Sequence, residues 1–255
     1  STLAYCYEKI RQDIEEALPL IKDEVYDVPK YHFNTLAAYA FATRFYISCM
    51  EWEKAVECAG YVLGNDPSIM LRDWKATGQL PYQYGPRSTD YIDPIHKFNL
   101  MMIPLLSGNG NQFQAWSASC ARYTHNNRIC KTETYRSKRP MGGLYDRWKS
   151  STMQDVMIHP PFTWDDNVTN KIYMPKWPNQ WEVVDAVLGT GYTRSTAVAF
   201  TTNECLLNRA EAYIHLKQYD KAAADMDCWS RSVFKVGSNG IVALDRDRIN
   251  EVYGN

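Results

Sequence analysis

The sequence predicts a mainly α-helical fold in which tetratricopeptide-like helical hairpins form a scaffold and a long irregular insertion carries short strands. Three observations lead to this prediction. Residues 201–233 have the pattern of two packed amphipathic helices, residues 33–67 repeat that pattern, and residues 68–200 between them lose helical periodicity. A repeat unit must stack on a neighbour to bury its apolar face, so the two distant hairpins are expected to meet in one core.

We therefore expect a single domain over residues 1–255. Residues 1–67 and 201–255 would form the helical scaffold, and residues 68–200 a variable, loop-rich insertion that binds the ligand. A chain of 255 residues is long enough to bury a substantial core.

The first element is predicted to be an amphipathic helix between Leu3 and Ile21. Its apolar residues recur at the three-and-four spacing of one helix face, and charged residues occupy most of the other face. The apolar stripe comprises Tyr7, Ile10, Ile14, Ala17 and Leu18.

The next two elements form the first hairpin. Asn34 or Thr35 can cap a helix over Leu36–Ser48, which is apolar nearly all round apart from Arg44 and is expected to lie in the centre of the core. A partner helix begins near Trp52 and contains the small residue Ala55, which lets two helices approach closely. Gly64 and Pro67 are typical of the end of such a helix.

The insertion is expected to be irregular. Glycine, proline, asparagine and aromatic residues are frequent there, and only Phe98–Pro104, Asp155–Ile158 and Lys171–Lys176 have the pattern of short strands. Six of the eight tryptophans fall in this stretch. Irregular segments on a rigid base often carry binding residues.

The second hairpin begins with Thr201 and Glu204, which have the spacing of a capping box. A turn at residues 217–220 separates its two helices, and Tyr46, Trp52 and Ala55 of the first hairpin match Tyr213, Tyr219 and Ala222 at one constant offset. The predicted apolar stripe of its first helix comprises Leu206, Leu207, Ala210, Tyr213 and Ile214. A further helix can begin at Arg246.

Composition excludes several classes of function. The net charge is -1, so no overall attraction to nucleic acid or to an anionic membrane is expected, and no apolar run approaches the length of a membrane span. Most of the seven cysteines lie in helical patterns and are expected to be buried apolar residues. Cys120 and Cys130 are the best candidates for a disulfide, although their spacing does not decide whether they are paired.

No catalytic or metal-binding motif is present in the sequence. The five histidines lack metal-ligand spacing, and we expect no metal, no cofactor and no enzymatic activity. Asp165 and Asp166 could serve a glycosidase or bind calcium, but a turn is the favoured interpretation, since adjacency does not place two carboxylates across a substrate.

Ligand binding is expected to depend on aromatic side chains in the insertion and on one basic residue. Flat aromatic faces stack on sugar rings, although the same residues could instead fill small cores beneath loops. Arg122 opens a basic stretch that ends at Lys149 and could meet an anionic group or pair with acids elsewhere. The predicted ligand-binding residues are Tyr82, Tyr84, Tyr91, Trp116, Trp164, Trp181 and Arg122.

Three sequence blocks together resemble the SusD/RagB family of nutrient-binding surface lipoproteins of the Bacteroidetes outer membrane. The first contains Tyr7, Ile10, Asp13 and Ile14, with Ala17 and Leu18. The second runs from Leu36–Ala40 through Tyr46 to Trp52–Ala55, and the third is Glu204–Tyr213. The second or the third block alone would pass for a generic tetratricopeptide unit, but in combination they are fairly specific, and all three blocks occur in the order of the family.

The resemblance implies a glycan-binding protein at the cell surface that delivers its cargo to a SusC-like TonB-dependent outer-membrane transporter. It transfers no binding site, since family members carry their aromatic residues in the variable part. The family's lipid-bearing cysteine and first helices would precede Ser1, and its last helix would follow Asn255, so we expect a fragment or a shortened member. Membrane contact would then require a lipid anchor that this chain does not contain.

A second class of function is kept open. The paired helices could form a tetratricopeptide-type scaffold that binds a peptide or partner protein in a groove. The position of the exposed aromatic residues should distinguish the two functions: on the helical face for a scaffold, and on residues 68–200 for a sugar-binding protein.

Overall fold

The computed structural model describes residues 2–81, 84–106, 125–126, 164–166, 171–173, 180–233 and 244–253. The helices are α1 (Leu3–Ala17), α2 (Thr35–Ser48), α3 (Trp52–Leu63), α4 (Trp74–Gln79), α5 (Tyr84–Tyr91), α6 (Thr202–His215), α7 (Tyr219–Val233) and α8 (Arg246–Tyr253). The strands are β1 (Asn99–Leu106), β2 (His125–Asn126), β3 (Trp164–Asp166), β4 (Lys171–Tyr173), β5 (Gln180–Asp185) and β6 (Thr190–Thr201).

The first helix is shorter than predicted. Thr2 caps α1 by accepting from the backbone N–H of Tyr5 at 3.2 Å, and the α-helix ends at Ala17. Residues Leu18–Leu20 continue as a 3₁₀ turn with Pro19 in its first positions, because proline lacks the N–H that would continue the α-helical ladder.

The first hairpin, α2 and α3, forms as predicted. Asn34 caps α2 by accepting from the N–H of Ala37 at 3.0 Å, and Gly64 ends α3 with a φ of +64°. Ala55 and Ala59 are fully buried, so the helices approach closely at these positions.

The second hairpin, α6 and α7, packs on the first as predicted, and the mainly α-helical fold is confirmed. Ala59 and Leu63 of α3 share one hydrophobic cluster with Cys205 and Leu206 of α6. Trp52 of α3 also stacks on His215 of α6, with ring centroids 3.9 Å apart.

The apolar stripe predicted for α6 is rotated in the structure. Leu206 and Ala210 are buried, but Leu207 is 42% exposed and Ile214 is also exposed. Cys205 and Ala212 are buried instead. The periodicity of an apolar helix does not show which side its neighbours cover, and here α3 and α7 together set the buried side.

The described parts of residues 68–200 are more regular than predicted. They contain α4, α5 and most of β6, a strand of 12 residues that pairs antiparallel with both β1 and β5. A second antiparallel sheet has the order β2-β4-β3. The pairing partners of β6 lie far away in sequence or across a hairpin, so local propensity alone did not identify it.

The other strand predictions had mixed outcomes. The strand predicted at Phe98–Pro104 corresponds to β1, and the described part of the one predicted at Lys171–Lys176 is β4. Residues 155–158 lie outside the described part of the chain. The predicted turn at Asp165 and Asp166 is wrong, since both residues belong to β3.

The described cysteines differ in burial, and we expect their reactivity to differ accordingly. Burial raises the pKa of the Cys58 and Cys205 thiols to about 12, whereas Cys6 is exposed, contrary to the expectation for that residue. Only the thiolate is nucleophilic, so iodoacetamide at pH 8 should modify Cys6 rapidly, and Cys58 and Cys205 only after addition of denaturant. Peptide mass spectrometry checks this; fast native labelling of Cys205 would contradict the packing of α6.

Candidate functional site

The inner end of β6 connects the sheet to the helical scaffold. Thr201 is both the last residue of β6 and the N-cap of α6, and its hydroxyl accepts from the N–H of Glu204 at 3.3 Å. This is the threonine hydrogen bond of the predicted capping box. The carboxylate of Glu204 accepts from Arg44 at 2.6 and 2.7 Å.

Arg44 fixes the strand against two helices. Besides Glu204, its guanidinium donates to the carbonyl of Ala199 at 3.0 Å and lies 4.5 Å from the centroid of Phe200. These contacts connect α2, β6 and α6 at one point, so the base of the sheet is rigidly placed.

The outer end of the sheet is the β5–β6 hairpin, which presents an aromatic side chain to solvent. Trp181 is 57% exposed and lies directly across from Thr193. Val183 lies across from Gly191, and paired residues of an antiparallel ladder project to the same face. Trp181, Val183, Gly191 and Thr193 therefore form one face, which we call the Trp181 face.

The indole of Trp181 lies beside bare backbone at Gly191. A Cβ placed on Gly191 would be 3.2 Å from Cε2 of Trp181 and only 1.9 Å from the carbonyl oxygen of Glu182. Any other residue would have to displace the backbone of β5. The glycine thus permits the close approach of the two strands next to the ring.

The opposite face of the hairpin is more polar. Tyr192 is exposed there, and Glu182 pairs with Arg194 beside it. Thr196 donates to the side-chain oxygen of Gln180 at 3.1 Å.

The tip of the hairpin is apolar. Asp185 holds the turn by accepting from the backbone N–H groups of Val187 and Leu188 at 2.8 and 3.0 Å. Val187 is 94% exposed, and Gly189 has a φ of +62°. The tip is therefore a defined turn that exposes apolar side chains.

Tyr91 lies in a different environment from Trp181. The centroid of its ring is 4.3 Å from the guanidinium of Arg72, which also lies 3.8 Å from the centroid of Phe98. Arg72 is buried, donates to the carbonyl of Tyr91 at 3.0 Å, and lies 3.6 Å from Asp90. Burial lowers the pKa of Arg72 to about 10, despite the opposing influence of Tyr91 and Asp90. Tyr91 therefore packs in an arginine–aromatic cluster, and its ligand-binding role stays a prediction.

The side chains of the remaining predicted residues lie outside what the structure describes. Tyr84 begins α5 and Trp164 begins β3, where only the backbone is described. Tyr82, Trp116 and Arg122 lie outside the described residues, as do Cys120 and Cys130. Their ligand-binding roles and the disulfide stay predictions.

Tyr192 and Gly191 were missed in the sequence. The alternation of Tyr192, Arg194 and Thr196 is the signal that could have identified a strand with one polar face. Because the hairpin partner was not recognised, that alternation had no strand to pair with.

No metal site is formed by the residues whose side chains are described, since no group of three or more His, Cys, Asp or Glu side chains lies close enough. Within the same described ranges, every helix is too short or too polar to cross a bilayer.

Comparison with known proteins relates the N-terminal part of the chain to one family. Residues 1–47 match the family model SusD-like_3, which is described as "Starch-binding associating with outer membrane". No curated protein matches the chain.

Solved structures share the fold at low sequence identity. A SusD-like carbohydrate binding protein from Bacteroides vulgatus is 17% identical over 99% of this chain and 48% of its own, with a TM-score of 0.51. Two SusD superfamily proteins from Bacteroides thetaiotaomicron are 18% and 12% identical, with TM-scores of 0.55 and 0.54. The two matches cover 98% and 99% of this chain, but only 52% and 51% of the respective Bacteroides thetaiotaomicron proteins. The chain therefore spans about half the length of these structures.

Proposed function

We infer that this chain is a SusD-like protein. On that premise, we propose that it binds a glycan or oligosaccharide at the cell surface without cleaving it. The bound sugar would then pass to a SusC-like TonB-dependent transporter in the outer membrane. One of the solved structures of this fold is named a carbohydrate binding protein, and the matching family model is described as starch-binding.

The observation that carries the proposal is the exposed indole of Trp181. More than half of this large side chain is open to solvent, although it lies on a sheet whose base is packed into the scaffold. An exposed indole offers a flat apolar surface at small entropic cost, since the ring has only two rotatable bonds.

The chemistry of the Trp181 face suits a sugar ring. The indole can stack on the C–H face of a pyranose, and the hydroxyl of Thr193 lies directly across the ladder as a donor and acceptor. Binding by stacking with few hydrogen bonds is weak at each site, and it discriminates little between different sugar units of a glycan. A capturing protein that must release its cargo needs this kind of affinity.

Trp181→Ala is expected to weaken glycan binding about tenfold, which corresponds to about 1.4 kcal/mol. The loss follows from removing the stacking surface while the scaffold stays intact. Isothermal titration calorimetry with a panel of oligosaccharides, beginning with malto-oligosaccharides, measures the dissociation constants.

Tyr192→Ala is the matched control, because Tyr192 is similarly exposed on the same hairpin but on the opposite face. Tyr192→Ala should bind the glycan as tightly as the wild type. If Trp181→Ala also keeps the wild-type dissociation constant, the Trp181 face is not the site. If the wild type binds no member of a broad panel, the sugar assignment is rejected.

Delivery to a transporter is tested separately by co-purification with the TonB-dependent receptor encoded nearest to the gene. Retention of both proteins after detergent extraction and gel filtration is the expected result. Separation of the two proteins, with glycan binding intact, would reject delivery and leave capture standing.

A further inference from the structure

The first helix leaves much of its apolar stripe exposed, although Tyr7 stacks on Phe45 of α2 with ring centroids 5.9 Å apart. Among its apolar residues only Ile14 is buried. Leu3 is 75% exposed, and Tyr7 and Ile10 are exposed as well. A free amphipathic helix normally buries this face against another element.

A cavity of about 320 Å³ opens beside this stripe, between α1 and α2. The cavity size and the predominance of apolar side chains are typical of ligand or anchor pockets. Its lining comprises Ile10, Asp13, Ile14, Ala17, Leu18, Ile21, Phe33, Ala38 and Phe41. We call this feature, together with the stripe, the α1–α2 groove.

The charged side chain in the cavity lining is acidic. On the side of α1 that faces α3, Arg11 pairs with Glu51 at 2.6 Å and Glu15 pairs with Lys54 at 2.6 Å. Asp13 is the one charged residue in the cavity lining, and neither it nor Glu16 has an ion pair within the described residues. The groove therefore combines an apolar floor with an unneutralised carboxylate at its rim.

We propose that the α1–α2 groove binds an amphipathic helix of a partner protein, which inserts apolar side chains into the cavity and places a lysine or arginine opposite Asp13. The exposed stripe continues from the cavity along α1, whose 15 residues span about 22 Å. A small molecule would fill the cavity and leave Leu3 and the exposed part of Tyr7 in solvent. A helix laid along α1 over the cavity covers both, with anchors at the spacing of helix-in-groove recognition.

A second copy of this chain is a poorer occupant. Pairing α1 with α1 of another copy would bring the carboxylates of Asp13 and Glu16 from both copies into one apolar interface. Like charges brought together in such an interface are unfavourable, so a basic partner fits better. This site is separate from the Trp181 face and does not depend on glycan binding.

The test uses a fluorescein-labelled leucine–lysine peptide of about 18 residues, with leucines at the three-and-four spacing of one helix face. Fluorescence polarisation should show binding to the wild-type protein. Ala17→Trp fills the groove from an exposed position and should weaken binding at least tenfold, and Asp13→Lys at least threefold. The same peptide with glutamate in place of lysine should bind more weakly than the lysine peptide.

Ala4→Trp is the matched control, since Ala4 is an exposed alanine of α1 that does not line the cavity. It should leave the affinity unchanged, and circular dichroism should show the same helix content in all variants. Absence of binding to the wild type, or equal affinity in Ala17→Trp, overturns the proposal. So does sedimentation of the wild type as a dimer that Ala17→Trp dissociates, which would make a second copy the occupant.

Discussion

Replacing Asp225 with alanine is expected to destabilise the protein by about 3–5 kcal/mol, because it leaves the charge of Arg209 buried without a partner. Arg209 of α6 donates to both carboxylate oxygens of Asp225 of α7, at 2.8 and 2.7 Å. Their side chains are only 11% and 8% exposed, so solvent screens the pair weakly.

The pKa of Arg209 reflects the same balance. Burial by itself lowers that pKa, while the hydrogen bonds and the charge of Asp225 raise it, and the net effect is a pKa above the usual value of arginine. Removing Asp225 would take away the hydrogen bonds and the charge that offset burial most strongly. The second hairpin should therefore loosen before the first.

Denaturation with urea, followed by circular dichroism, measures the free energy of unfolding. Glu15→Ala is the control, because Glu15 pairs with Lys54 on the surface, and its removal should have a much smaller effect. The double variant Arg209→Met with Asp225→Leu should recover part of the lost stability, since it removes both charges. Equal stability of Asp225→Ala and the wild type would show that the pair is open in solution.

Replacing Leu206 with alanine is expected to destabilise the protein by about 2–5 kcal/mol, through lost burial and the cavity left behind. Leu206 is fully buried in the cluster shared by α3 and α6. The substitution therefore acts on the contact between the two hairpins, on which the architecture depends.

Leu207→Ala is the matched control at the next position, where the side chain is partly exposed. Its effect should stay within about 1 kcal/mol, because little transfer free energy is lost and no closed cavity forms. Urea denaturation of the two variants side by side makes the comparison. Equal destabilisation by both would mean that α6 is rotated relative to the packing described above.

The candidate site was predicted only in part. Trp181 could be selected because it is an aromatic residue in a loop-like context, but its partner Gly191 and the strand that carries both could not. Tyr91 was selected for the same reason and lies in the cluster around Arg72. Local context does not distinguish an aromatic ring that meets solvent from one that meets a buried guanidinium.

The sequence by itself determined the helices of both hairpins and the caps at Asn34 and Thr201. These follow from periodicity and from hydrogen bonds within a few residues, which any amphipathic segment carries with it. Tertiary structure decided the buried side of α6, the pairing of Arg209 with Asp225, and the sheet formed by β6. Each of these is a contact between segments distant in sequence or on opposing elements, and its free energy exists only when both partners are in place.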